Sequence, residues 1–474
     1  MDRRQFLGSS IASALVLTGC GGSSTSATGG TTNSNDEYSQ ALIIPAELKG
    51  TLKDGRVHYD LEIQTGTSNF LSNASTETWG VNGSYLGPTL RLENGSNVSI
   101  NFTNKLPEKT TMHGHGMHVP AIMDGGAHQV INVGETWSSV YKVNQHACTN
   151  WYHPHLMGKT AEHVINGLTG LIIIDDAKSQ QLDLPNRYGI DDIPLIVQDR
   201  SFNDDGSFDY SPTQREKMHG WKGDTLLANG VIKPFIDVEA KQIRFRILNG
   251  SNSRVYNFAL KSGKAFKQIA TDNSFLEAPV ELTQLRLSPA ERAEIVIDFT
   301  DTLGGNDLFV DLDSGKEVCK INIKSVATKV TDLPQQLTTL AQLNPADAVN
   351  TRQFILSGRQ GNLTINNKSM DMSVINEVVP VNDIEIWEVK NTMGMVHNFH
   401  IHATYFQIIE RNGSAASVAD NERGYKDTVF LPAGESVKFI VRMTDFTDAN
   451  SPYMYHCHLL EHEDLGMMGQ FTVV

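Results

Sequence analysis

The chain has 474 residues, 39% of them apolar, and a formal net charge of −15. That is enough for two to four domains with real cores. The charge argues against nucleic acid and against charge-driven binding to anionic lipid, and no apolar stretch reaches transmembrane length.

The N-terminus reads as targeting. Asp2-Arg3-Arg4-Gln5-Phe6-Leu7 is a twin-arginine signal, and the apolar run Ile11 to Leu17 is too short to span a bilayer. Leu17-Thr18-Gly19-Cys20 resembles the lipobox of bacterial lipoproteins, which puts lipid and the new N-terminus on Cys20; an ordinary cleaved signal peptide is the alternative. Residues 1–20 are thus a signal. Residues 21–37, rich in Gly, Ser, Thr and Asn, form a flexible tether.

Beyond the tether the periodicity is β. Val98, Ile100 and Phe102 alternate with polar residues before Asn104; Ile243, Phe245 and Ile247 do so before Asn249; Trp387 and Val389 do so before Asn391. That is the period of half-buried strands. A second pattern repeats with the first: a turn, a glutamate and an alternating strand, at Val133 to Trp137, Ser288 to Ile297 and Leu431 to Val441. Three copies of one β-sandwich account for both patterns. They are expected at 38–178, 187–328 and 350–474, with linkers near 176–191 and 327–350.

Ten of the sixteen histidines fall in four clusters. In chain order these are His113-Gly114-His115, Trp151-Tyr152-His153-Pro154-His155, His397-Asn398-Phe399-His400-Ile401-His402, and Tyr455 to Met468 with His456, Cys457, His458, His462, Met467 and Met468. Each contains an H-x-H pair, whose rings share one face of a strand. In an extended His456-Cys457-His458 the cysteine points one way and both histidines the other. One strand then feeds two metal sites. A cysteine thiolate, histidines and a weak axial methionine make a blue-copper electron-transfer site. Met467 is the expected axial ligand and Met468 the alternative. The second copy has no H-x-H pair; it reads as a spacer that positions the outer two and lines the entrance for a donor.

The four clusters resemble the copper-binding motifs of the multicopper oxidases, the family of laccases, ascorbate oxidases and bacterial cuprous oxidases, over nearly the whole mature chain. The resemblance implies an all-β fold of three consecutive cupredoxin-like Greek-key domains and four copper ions. It places type 1 copper on His397, Cys457, His462 and Met467, and type 2 copper on His113 and His400. One type 3 copper falls to His155, His402 and His456, the other to His115, His153 and His458. The implied activity is oxidation of donors one electron at a time, coupled through Cys457 and its bonded neighbours to four-electron reduction of O2 to water.

That reduction consumes protons, which carboxylates must relay. Asp124 stands where the family carries such an acid, and Glu463, beside His462, is a second candidate. The alternative for each is a surface carboxylate or a group that orients a histidine. The family usually has Trp between the first two histidines, where this chain has Gly114; both ligands remain. His58, His118, His128, His146, His163 and His219 read as ordinary or supporting histidines.

The expected donors are phenols and aromatic amines, as for a laccase, with transfer at an exposed edge of His462 or His397. The alternative is Cu(I), as for a periplasmic cuprous oxidase. The Met-rich insert of the cuprous oxidases is absent, yet Met393 and Met395 precede His397 and thioethers suit Cu(I). A third class, a copper-free assembly protein of the cell envelope on this fold, is disfavoured because every ligand is present. Cys148 and Cys319 either form a disulfide linking the first two domains or stay as buried thiols. A monomer on the periplasmic face of a membrane, held only through Cys20, is expected.

Overall fold

The computed structural model describes residues 38–474 apart from 73, 328–331 and 360. The twin-arginine signal, Cys20 and the tether lie outside the described residues.

Six sheets carry the described residues, and they pair into three sandwiches. Each sandwich has a single hydrophobic core fed by both of its sheets. In the first, Leu61, Ile63, Ile100 and Phe102 of one sheet meet Leu90, Leu92, Ile172 and Ile174 of the other. Ile193, Phe245 and Ile295 meet Phe258, Phe309 and Ile321 in the second, and Phe354, Trp387 and Phe439 meet Phe399, Tyr455 and Phe471 in the third. The alternating runs are central strands because their apolar faces look into these cores.

The internal repeat is literal. In every sandwich an opening strand pairs parallel with the alternating strand: Arg56–Ser68 with Asn97–Asn104, Asp192–Arg200 with Gln242–Asn249, and Asn350–Arg359 with Ile384–Asn391. The alternating strand then pairs antiparallel with the strand that follows the turn glutamate, at Thr136–Lys142, Arg292–Asp298 and Ser436–Arg442. Parallel pairing of nearby strands needs crossovers between sheets, which is Greek-key topology.

Each alternating strand ends on the same lock. Asn104 donates from Nδ2 to Glu108 O and Ile131 O, and its Oδ1 accepts from Leu106 N. Asn249 does the same with Arg254 O, Leu287 O and Ser251 N, and Asn391 with Met395 O, Leu431 O and Met393 N. A buried amide that satisfies two carbonyls and one N–H fixes the loop that follows it.

Cys148 and Cys319 are unbonded thiols buried in the cores of the first and second sandwiches, so the disulfide is not formed. Among the described residues three short α-helices, Thr160–Asn166, Gln214–His219 and Leu460–Asp464, interrupt the β pattern. The periodicity did not announce them.

Candidate metal centre

The strand His397–Ile401 does two jobs because His397 and His400 are three residues apart. Phe399 and Ile401 face the core of the third sandwich together with Cys457. Odd spacing therefore sends His397 to that side, and His400, like its strand partner His456, to the other. The neighbouring strand Asp448–His456 ends there, the Cys457 N–H donates to Met467 O at 3.1 Å, and helix Leu460–Asp464 brings His462 back.

The result is a small buried pocket. Cys457 Sγ lies 3.5 Å from His397 Nδ1 and 3.6 Å from His462 Nδ1, and the two nitrogens are 3.1 Å apart. Met467 packs in the same cluster as Cys457; Met468 pairs with His456 instead. Burial pushes the Cys457 thiol up to about 12 and pulls His397 down to about 4. With the ring protons on the outer Nε2 atoms, two neutral imidazoles and a buried thiol bring one weak donor proton to the point where they converge. A soft cation that accepts both nitrogens and stabilises the thiolate satisfies the donor set.

The outer edges of the two rings are not bare, contrary to the sequence expectation. His397 Nε2 lies 3.2 Å from Met393 Sδ, and His462 Nε2 donates to Met218 O at 3.2 Å. Met218 belongs to the middle sandwich's helix Gln214–His219, so that sandwich covers the outer edge of His462.

Eight further imidazoles, all buried, close a chamber between the first and third sandwiches. His113 and His115 come from one strand, and His153 ends the strand paired with it. His155 Nε2 and His402 Nε2 each lie 3.2 Å from His456 Nε2. His115 Nδ1 and His458 Nε2 each lie 3.4 Å from His153 Nε2. His113 and His400 turn Nδ1 to the backbone carbonyls of Asp124 and Asp427 at 2.8 and 2.9 Å, and leave Nε2 with no partner. Buried nitrogens that meet only one another or nothing are costly, and a metal ion removes that cost. His115, His400 and Asp427 also cluster, but on the ring edges turned away from the converging nitrogens.

Models of the multicopper oxidase family match residues 62–179, 173–310 and 332–474. The chain belongs to that family. It is 37% identical over 445 residues to multicopper oxidase mco of Staphylococcus haemolyticus, spanning 93% of this chain and 94% of that protein. Cell division protein FtsP of Xenorhabdus nematophila is 34% identical over 87% of this chain and 88% of its own length. A crystal structure of laccase from Pediococcus acidilactici matches with a TM-score of 0.86 at 35% identity, covering 92% of this chain and 94% of that one. The chain is thus an oxidoreductase, its metal is copper, and its three sandwiches are cupredoxin-like.

In this multicopper oxidase both candidate carboxylates are buried against histidines, so neither is a surface group. Asp124 Oδ2 accepts from His402 Nδ1 at 2.7 Å, and Oδ1, 3.5 Å from His113 Nδ1, has no hydrogen-bond partner. Burial alone raises the Asp124 carboxyl, but His402 and His113 outweigh it and hold the group well below the usual range. Glu463 spans His155 Nδ1 and His456 Nδ1 at 3.4 Å each, and burial, then Asp464, pushes it well above the usual range. The oxidase fills the space beside Gly114 with Met117, whose Cγ would lie 3.0 Å from an added Cβ. Nothing in the local spacing marked Asp427 or Met218. Their roles arise from contacts across sandwiches, which no local spacing encodes.

Proposed function

We propose that this oxidase is laccase-like: it takes electrons one at a time from phenolic or aromatic-amine donors beside His462 and passes them to O2, which leaves as water. The observation that carries the coupling is the strand end at His456, Cys457 and His458. Cys457 enters one site while its bonded neighbours enter the other, a short covalent path for electrons. His397, Cys457, His462 and Met467 would hold type 1 copper, and His113 and His400 type 2 copper. His155, His402 and His456 would hold one type 3 ion, and His115, His153 and His458 the other. Copper, when bound, supplies the one-electron couple in the pocket and the O2-reducing centre in the chamber.

The residues then divide the remaining work. The Cys457 pocket excludes water by burial, and the Met218 carbonyl fixes the outer edge of His462. Asp124 holds a proton position at His402 Nδ1 and keeps one oxygen without a hydrogen-bond partner, which suits a relay. Glu463, 3.4 Å from His155 Nδ1 and from His456 Nδ1, is the second relay group. The donor set is intact, which counts against a copper-free assembly role. The N-terminal signal supports a periplasmic, lipid-anchored protein; loss of membrane fractionation in Cys20→Ala tests the anchor.

A second reading, oxidation of Cu(I), is favoured by the Met393 thioether lying 3.2 Å from His397 Nε2. The double change Met393→Leu and Met395→Leu roughly conserves volume. A tenfold or greater fall in Cu(I) oxidation with phenol oxidation unchanged establishes a Cu(I) dock. If both steady-state rates stay at the parent level, the methionines are packing and the laccase-like reading stands alone.

A further inference from the structure

The middle sandwich gives no imidazole to either site, yet it reaches the chamber as well as the outer edge of His462. Arg292 opens the strand Arg292–Asp298 and is buried where the three sandwiches meet. Its Nη1 and Nη2 donate to Asp427 Oδ1 and Oδ2 at 2.8 and 2.6 Å, the two-point pairing that a planar guanidinium makes with a carboxylate. Its Nε donates to Thr149 O at 2.9 Å, and Nη2 also reaches Asn150 Oδ1 at 2.6 Å. One side chain of the second sandwich thus ties the first to the third.

Asp427 in turn holds two chamber histidines by their outer edges. Its Oδ1 accepts from His115 Nε2 at 3.0 Å and its backbone carbonyl from His400 Nδ1 at 2.9 Å. Those bonds decide which nitrogen each ring turns inward: Nδ1 for His115, Nε2 for His400. His115 is the one chamber histidine that presents Nδ1, so its tautomer depends on this carboxylate. Two features mark the arrangement as built. Gly116 leaves room for it, since a Cβ there would lie 2.7 Å from both Arg292 Nη2 and Asp427 Oδ2. At the corresponding place after the turn glutamate, the outer sandwiches carry Thr136 and Ser436. The buried arginine is peculiar to the middle copy.

We propose that Arg292 is a positioning residue for the chamber: by pairing with Asp427 it fixes the orientation of His115 and His400. The middle sandwich then sets the geometry of a centre to which it gives no ligand. This rests on the copper placement proposed above.

Arg292→Met keeps much of the volume and removes the pairing. In the copper-loaded full chain, a chelator is expected to strip type 2 copper at least tenfold faster than from the parent. The electron paramagnetic resonance spectrum of the remaining type 2 ion is expected to change, and the blue absorption of the Cys457 site to persist. Arg246→Met is the control for structure alone. Arg246 is also buried and pairs with Asp192 at 2.7 and 2.9 Å and Glu294 at 2.8 Å, but those bonds involve no chamber histidine. If Arg246→Met gives the same loss, or if Arg292→Met keeps the parent's spectrum and chelator resistance, the proposal is overturned. Where the single change does not fold, Arg292→Met with Asp427→Asn leaves neither partner as an unpaired charge, and tenfold faster loss is again expected; parent-like retention overturns the proposal. A parent with no type 2 signal would overturn the copper placement itself, and this proposal with it.

Discussion

At the residue scale, the sites are a problem of which atom meets which. Cys457 is the one thiolate in the proposed ligand set, and a serine there cannot supply it. Cys457→Ser is therefore expected to abolish the blue absorption and donor oxidation, while metal analysis still finds the chamber copper. Continued O2 consumption with a phenol would refute the role of Cys457. Asp124→Asn keeps the shape but removes the charge beside His402 Nδ1. Turnover at saturating donor should fall by about 10²–10⁴-fold, the range general acids contribute, with the blue band intact; a change within about twofold removes Asp124 from the proton route. These residues were legible in the sequence because their spacing is local: His456, Cys457, His458 and His462 lie within seven positions, and three-residue spacing splits His397 from His400. Arg292 and Asp427 were not legible, because they are 135 residues apart and meet only once three sandwiches are packed.

At the element scale, the repeat was readable down to its last residue, since each alternating run stops at an asparagine. What that asparagine does was not readable, because an exposed turn and a buried lock look alike in sequence. The lock at Asn391 holds the loop that carries Met393 to His397. Asn391→Ala leaves the buried carbonyl of Leu431 and the half-buried carbonyls of Met395 and Pro432 without this donor. It is expected to destabilise the fold by about 2–3 kcal/mol in denaturant titration, the cost of stranded buried polar groups. The blue absorption should shift as well. Asn104→Ala, which cuts the same lock in the first sandwich, should destabilise comparably and leave the blue band alone. A shift in both variants, or in neither, removes the link from lock to pocket.

At the scale of the whole molecule, the copper-free protein stores an acid liability. Burial pulls His397 down to about 4 and His402 to about 3, from 6.5, and His153, His155, His456 and His458 are lowered well below their ordinary value for the same reason. A histidine depressed by folding binds its proton first in the unfolded chain, so the stability it supports is present above pH 6.5 and drains away as pH falls toward the folded value. His397 and His402 each cost up to about 1.4 kcal/mol per pH unit across that window. Raised carboxyls such as Glu463 work the other way but are outnumbered. The melting temperature of the copper-free protein is expected to drop steadily from pH 7 to pH 5. Copper should blunt the drop, because a ligated nitrogen cannot take a proton. A flat or rising profile without copper would contradict the burial argument.

The chamber draws four imidazoles from residues 113–155 and four from residues 400–458. Synthesis runs one way, and the early domains fold first. A nascent chain that has completed two sandwiches therefore displays half a set of ligands with nothing to close against. Strong affinity for the metal is not accumulated domain by domain; it arrives in one step, when the last strands dock against the first. A stalled or truncated chain is then a poor scavenger of copper rather than a half-working enzyme, and the cell meets a competent binding site only in finished molecules.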